Sequence, residues 1–333
     1  MDYRQKMRIL LLFQYGFILM LTLFCGIAIN SAFCDPQSLI AFASNINGNW
    51  DIYLTDSSGK KPVNLTLNPS ADYYPMWSPD GTEIAFFSRR DKNHEIYVMH
   101  ADGTNQRRLT HHLATDKAPS WSPDGKRLAF SSNREGHYNI YILELKSRVV
   151  KNITKNNFSD GIPIWSPDGR FLAFHSQRDL NWDIYTIDVT SREEQRLTHQ
   201  PLMDTYPTWS PNGKNILYAS MRQDVDQADF DLYLMDAEDG GNKKALTDTP
   251  IDEAVPSWSP DGSLIAFQSE KDARWVIHLM NADGSERREL INNNAWAAQP
   301  KWQVGTVGLS IEPSFLQFQQ WGKLKTPYEA INN

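Results

Sequence analysis

Carboxylates and cationic side chains recur along this 333-residue chain at a fixed distance from one another. Asp72, Asp116, Asp160, Asp204 and Glu253 are each followed eighteen residues later by a base: Arg90, Arg134, Arg178, Arg222 and Lys271. Two chemistries suit such a set. Five acids gathered at one mouth would make a carboxylate ring for Ca²⁺ or a basic partner. Five acid–base pairs would instead neutralise one another and serve packing. Internal comparison favours pairing. Where the acid position holds Ala297 the base position holds Ile46, and where Asp becomes Glu, Arg becomes Lys. A paired carboxylate is a poor metal ligand, so no metal and no cofactor are expected.

A second series consists of rings: Trp50, His94, Tyr138, Trp182, Phe230 and Trp275. Exposed together, they would form a crown able to grip a peptide or stack on a sugar. Turned inward, each would plug the gap to the neighbouring repeat, and strict periodicity is consistent with that too. His94 stands alone among the rings and receives no catalytic role. Catalytic signatures are scarce: there is no Gly-x-Ser-x-Gly, His-Glu-x-x-His or Cys-x-x-Cys. Serines recur at Ser44, Ser88, Ser132, Ser176, Ser220 and Ser269. Their presence in every copy suggests hydrogen bonding to the backbone.

These series are carried by a repeat. Trp-Ser-Pro-Asp-Gly stands at Trp77, Trp121, Trp165 and Trp258, with Trp-Ser-Pro-Asn-Gly at Trp209 and a worn copy at Lys301-Trp302-Gln303. The steps are 44, 44, 44, 49 and 44 residues. A period of this length marks radially arranged four-stranded sheets, a β-propeller. Each acid lies five residues before its tryptophan, at the start of a first strand, and each base follows a second strand. Second strands such as Ile84-Ala85-Phe86 and Ile40-Ala41-Phe42 number six, so six blades are expected. A proline two residues before each tryptophan (Pro75, Pro119, Pro163, Pro207, Pro256, Pro300) cannot donate to a ladder. It marks the inner edge strand, beside the channel. The first blade lacks a tryptophan strand of its own, and Gln299–Gln303 is left over at the far end, so the C-terminal strand should close the ring.

The expected fold is therefore all-β, a six-bladed propeller over 38–304. Residues 1–32 hold three basic residues before an apolar run from Ile9 to Ile29. This reads as a signal peptide or an uncleaved signal anchor, the one membrane contact expected. A short linker, 33–37, and a C-terminal tail, 305–333, flank the propeller. Both cysteines, Cys25 and Cys34, precede it, so disulfides are not expected to stabilise it. Removing residues 1–32 takes away three basic and one acidic residue, and the net charge of −7 becomes −9. Nucleic acid is thus a poor partner; a basic protein or a cation fits better.

The unit Pro-x-Trp-Ser-Pro-Asp-Gly-x-x-Ile-Ala-Phe, with its later Ile-Tyr-x-Met, Asp-Gly and Leu-Thr, resembles the WD40-like PD40 repeat of the TolB propeller family. It also resembles propellers attached to prolyl-oligopeptidase-type peptidases. The resemblance spans residues 38–303. It implies a periplasmic, non-enzymatic platform that binds a protein partner in the cell envelope over its channel, a Pal-like lipoprotein in TolB itself. TolB carries an α/β domain before its propeller, and no such domain is visible in this sequence. Two other readings stay open: a hydrolase or lyase acting on a sugar or lactone at the channel mouth, and a gating propeller of the peptidase kind. A catalytic site would break the repeat symmetry. The main break is the insertion Gln223–Asp229 in the Trp209 copy.

Overall fold

The computed structural model describes residues 38–304, apart from 179–180, 223–228 and 292–293; the leader, linker and tail expected at 1–32, 33–37 and 305–333 lie outside the described residues. The turn after Trp77 shows how each repeat begins. Ser78 Oγ donates to Asp80 Oδ1 at 2.6 Å and accepts from Glu83 N at 2.9 Å. Gly81 N donates to Ser78 O at 2.9 Å, with φ at 71°. Glycine supplies that left-handed residue without steric cost. The serine and aspartate thereby satisfy the hairpin's own donors, and the chain reverses into the next strand.

In blade 2 the four strands are Asp72–Trp77, Glu83–Asp91, Asn93–His100 and Arg107–Arg108, antiparallel and numbered here from the inside outward. Blades 3 to 6 repeat the order from inner strands Asp116–Trp121, Ser159–Trp165, Asp204–Trp209 and Glu253–Trp258. Blade 1 comprises Ile40–Ser44, Asp51–Thr55 and Val63–Asn64, with Ala297–Trp302 as its inner strand. Ile40 faces Trp302 and Ala41 faces Lys301, so the C-terminal strand closes the ring as expected.

Each inner strand carries a β-bulge at the residue before the proline. Tyr74, Ala118, Ile162, Tyr206, Val255 and Gln299 all have φ between 50° and 58°, and the register shifts beside them. The bulge re-aims these side chains. Tyr74, Ala118 and Val255, with Ile162 and Tyr206, join one apolar cluster although they come from five blades. Side chains of five inner strands join in this way across the channel, where Tyr74 and Tyr206 of opposite blades come close enough to interact.

Between the second and third strands a buried aromatic pair recurs: Phe42 on Tyr53, Phe86 on Tyr97, Phe130 on Tyr141 and Phe174 on Tyr185, with centroids 5.8–5.9 Å apart. Tyr218 on Tyr233 and Phe267 on His278 complete the set. Neighbouring blades are tied by the motif tryptophans. Trp77 Nε1 donates to Lys301 O at 3.2 Å, Trp121 Nε1 to Met76 O at 3.2 Å and Trp209 Nε1 to Ile164 O at 3.1 Å, each bond reaching the previous inner strand.

Candidate functional site at the acidic rim of the channel

The inner strands start at one end of the channel with the acids and finish at the other with the tryptophans. At the acidic end all five carboxylate residues are fully buried. In blade 2, Arg90 Nη2 donates to both oxygens of Asp72, at 3.1 and 2.9 Å. Arg134 Nη2 does the same for Asp116, at 3.0 Å to each oxygen. Each guanidinium also donates through Nε to the serine at its strand end, Ser88 or Ser132, at 2.9 Å. Each lies over a tyrosine ring, Tyr97 at 4.7 Å or Tyr141 at 4.6 Å. The planar fork suits this combined ion pair, hydrogen bond and stack. Ser88, Ser132, Ser176 and Ser269 thus accept from a guanidinium, which was not expected; the backbone bonding that was expected is made by Ser44, which donates to Trp296 O at 2.6 Å, and by Ser88, which also accepts from Arg90 N at 3.3 Å.

Blade 4 is looser. Arg178 lies 3.8 Å from Asp160 and gives its closer bond, 2.6 Å, to Glu194.

Two expected pairings need correction. In blade 5, Arg222 turns from Asp204 to Asp231, at 3.0 Å, and to Asp248. Asp204 is left with no hydrogen bond from either oxygen among the described residues. Burial pushes its carboxyl up to about 6; the Ser220 and Thr198 hydroxyls lie near enough to oppose the shift without forming a hydrogen bond, and Asp183 adds to it. In blade 6, Lys271 pairs with Glu289 at 2.6 Å, and Glu253 is met instead by Arg287. Arg287 also donates to Ser269 Oγ at 3.0 Å and lies 5.2 Å over Phe267, the place that Arg90 takes in blade 2. A lysine ammonium cannot fork or stack, so the guanidinium arrives from the outer side of the same blade.

Burial also raises the carboxyls of Asp72, Asp160 and Glu253, against hydroxyl and arginine partners. Threonine hydroxyls of the previous blade lie beside these acids and favour the ionised form, Thr66 near Asp72, Thr154 near Asp160 and Thr247 near Glu253, although their hydrogens go to partners in their own blade. These threonines belong to a constellation that reasoning from sequence missed. Thr66, Thr110, Thr154, Thr198 and Thr247 each accept the first apolar N–H of the third strand, at 2.9–3.2 Å. Each also donates to Asp51, Glu95, Asn139, Asp183 or Asp231 of its own blade, at 2.6–3.2 Å. A signal was present: the polar residue directly follows each ring of the aromatic series. In the last copy Val276 and Ile291 replace both partners together.

The rings at Trp50, His94, Tyr138, Trp182, Phe230 and Trp275 are all half-buried. Trp50 packs on Tyr73 of the next blade, with centroids 5.5 Å apart. His94 meets Phe87 edge-on at 5.3 Å, Trp182 lies 4.6 Å from His175, and Lys117 Nζ sits 5.6 Å over Tyr138. Burial, with Lys117 and Arg89, lowers the His94 imidazole to about 4. It is therefore neutral at physiological pH. Each ring has a packed side and a solvent side, intermediate between crown and plug. Among the described residues no three His, Cys, Asp or Glu side chains gather as a metal site.

A family model of the TolB β-propeller domain (PD40) matches residues 111–306, and one of the tricorn protease N-terminal β-propeller domain matches residues 36–139. Among solved structures, TolB from Acinetobacter baumannii is 26% identical with a TM-score of 0.69, over 80% of this chain and 66% of that chain. The putative TolB from Agrobacterium tumefaciens is 24% identical with a TM-score of 0.64, over 80% of this chain and 98% of that chain. An oligogalacturonate lyase in complex with manganese shares the fold at 18% identity and a TM-score of 0.54, over 77% of this chain and 74% of that chain. Comparison with curated proteins returns no match.

Proposed function

Because the chain belongs to the TolB β-propeller family, we propose that it is an exported, non-enzymatic protein-binding platform of the bacterial cell envelope. The observation that carries this reading is the state of the rim. Four of its five buried carboxylates are within 4 Å of an arginine, so they are committed to holding strands together. Around them six rings keep a solvent side. Flat amphipathic side chains of this kind concentrate interface energy. The partner is a protein of the envelope, with a Pal-like lipoprotein the first to test, and the acidic charge disfavours nucleic acid. Localisation is periplasmic or secreted, with residues 1–32 cleaved or kept as an anchor.

Capture of a purified Pal-like lipoprotein on the immobilised propeller tests this. Trp182→Ala and Trp50→Ala should each weaken capture about thirtyfold, the scale of an interface hot spot. Unchanged capture by both variants would remove the rings from the interface. A large loss of thermal midpoint in both would make them packing.

The enzyme reading has one observation in its favour. Asp204 is a buried carboxylate without an ion pair among the described residues, in the blade that also breaks the repeat with an insertion. If that blade is catalytic, Asp204→Asn should abolish turnover of a sugar or lactone substrate; a binding platform shows no turnover to lose.

A further inference from the structure

At the end of the channel opposite the acidic rim lies a cavity of about 410 Å³ that the proposed platform does not use. All six motif tryptophans line it, together with the prolines of the Ser-Pro turns. Its inner wall is formed by the residue before each tryptophan: Met76, Ser120, Ile164, Thr208, Ser257 and Lys301. Five of these are uncharged, and the sixth is a lysine. A single cation in an otherwise uncharged, six-fold repeated wall breaks the symmetry of the molecule, as a ligand site does and a scaffold does not.

Lys301 is 6% exposed. Buried lysines are rare unless paired, because removing an ammonium from water is costly. Here no carboxylate or hydrogen-bond acceptor serves Nζ among the described residues; its neighbour is the Tyr74 ring, 5.5 Å away. Desolvation alone lowers the ammonium to about 8, so it remains mostly charged at neutral pH. The other polar groups of the wall are hydroxyls. Ser120 Oγ accepts from Trp165 N at 3.4 Å and Ser257 Oγ from Trp302 N at 3.5 Å, which leaves their hydroxyl hydrogens free to donate inward. The wall therefore offers a cation and hydroxyl donors within a collar of indoles. Its volume falls in the range of small-ligand pockets.

We propose that this cavity binds a carboxylate carried on a flat apolar body, with Lys301 receiving the carboxylate and the indole collar enclosing the body. Such a group occurs in a free aromatic acid and at the C-terminus of a peptide ending in an aromatic residue. Both present the same chemistry to the wall.

The test is calorimetric titration of the full propeller, with tryptophan fluorescence as a second readout. Probes are 3-phenylpropionate and its amide, and N-acetyl-Gly-Gly-Phe with a free or amidated C-terminus. The acid of at least one pair should bind tenfold or more tightly than its amide. Lys301→Met should bring acid and amide within about twofold of each other, and its thermal midpoint should hold or rise because a lone buried cation is removed. Lys301→Gln serves if the methionine variant does not fold. A tighter peptide acid identifies a chain terminus as the source, and a tighter phenylpropionate identifies a free acid. Equal binding of acid and amide, binding of neither probe, or an acid preference that survives both substitutions would overturn the assignment.

Discussion

Asp204→Asn removes a charge that the fold does not accommodate, and it should stabilise the protein in a pH-dependent way. The carboxyl has no exposure and no hydrogen bond from either oxygen among the described residues. Its pKa rises from 3.8 to about 6, chiefly through burial. The folded state thus keeps a proton that the unfolded state has already released, and stability falls as pH rises through that interval. A shift of about 2 units corresponds to about 3 kcal/mol lost above pH 6, at roughly 1.4 kcal/mol per unit. Asparagine is nearly isosteric and uncharged at every pH, so the variant escapes this loss. Near pH 4 variant and parent should differ only by the change of hydrogen-bonding groups. At pH 8 the variant should gain about 3 kcal/mol relative to that baseline. Urea unfolding at both pH values, with the thermal midpoint as a check, measures the difference between two differences and cancels pH-independent effects. Asp116→Asn is the control. The same chemical change there strips a carboxylate from a buried guanidinium and should cost about 3–5 kcal/mol. If Asp204→Asn gains nothing at pH 8 over pH 4, the carboxylate has a partner in solution, and the account of blade 5 fails.

Arg287→Met should cost about 3–5 kcal/mol by leaving Glu253 buried and unpaired, whereas Lys271→Met, at an exposed ion pair, should change the unfolding free energy by less than about 1 kcal/mol. Deleting residues from Gln299 onward should abolish cooperative unfolding in calorimetry, because blade 1 loses its inner strand and the ring opens a seam. A sharp transition in that truncation would mean that closure contributes little. His175 is half-buried against the Trp182 and Tyr206 rings, and desolvation lowers its imidazole to about 3, so its NMR signals should stay those of the neutral ring down to pH 4 in the native state. Since the unfolded ring protonates near 6.5, this histidine opposes folding as pH falls below that value. Replacing it with Gln should flatten that part of the acid limb.

What could be read from the chain itself was whatever repeats. A spacing of 44 residues reports the blade, the prolines identify the inner strand, and the orphan Lys301-Trp302-Gln303 identifies the closure, because each is a local consequence of backbone geometry copied six times. The acid–base series was legible for the same reason in blades 2 and 3, where an arginine two residues beyond the strand serine has no competitor. It failed in blades 5 and 6. There, long flexible side chains chose among several acids, and Asp231 and Asp248 drew Arg222 away while Arg287 replaced Lys271. Such choices depend on small differences in reach and on which group can fork, and spacing along the chain does not encode them. Exposure of the aromatic series was likewise undecidable from periodicity, since a plug and a crown recur with equal regularity. The tryptophan-lined cavity needed tertiary structure altogether. Lys301 stands out neither in type nor in spacing, and does so only when closure of the ring carries it into a buried wall beside five uncharged residues from five other blades.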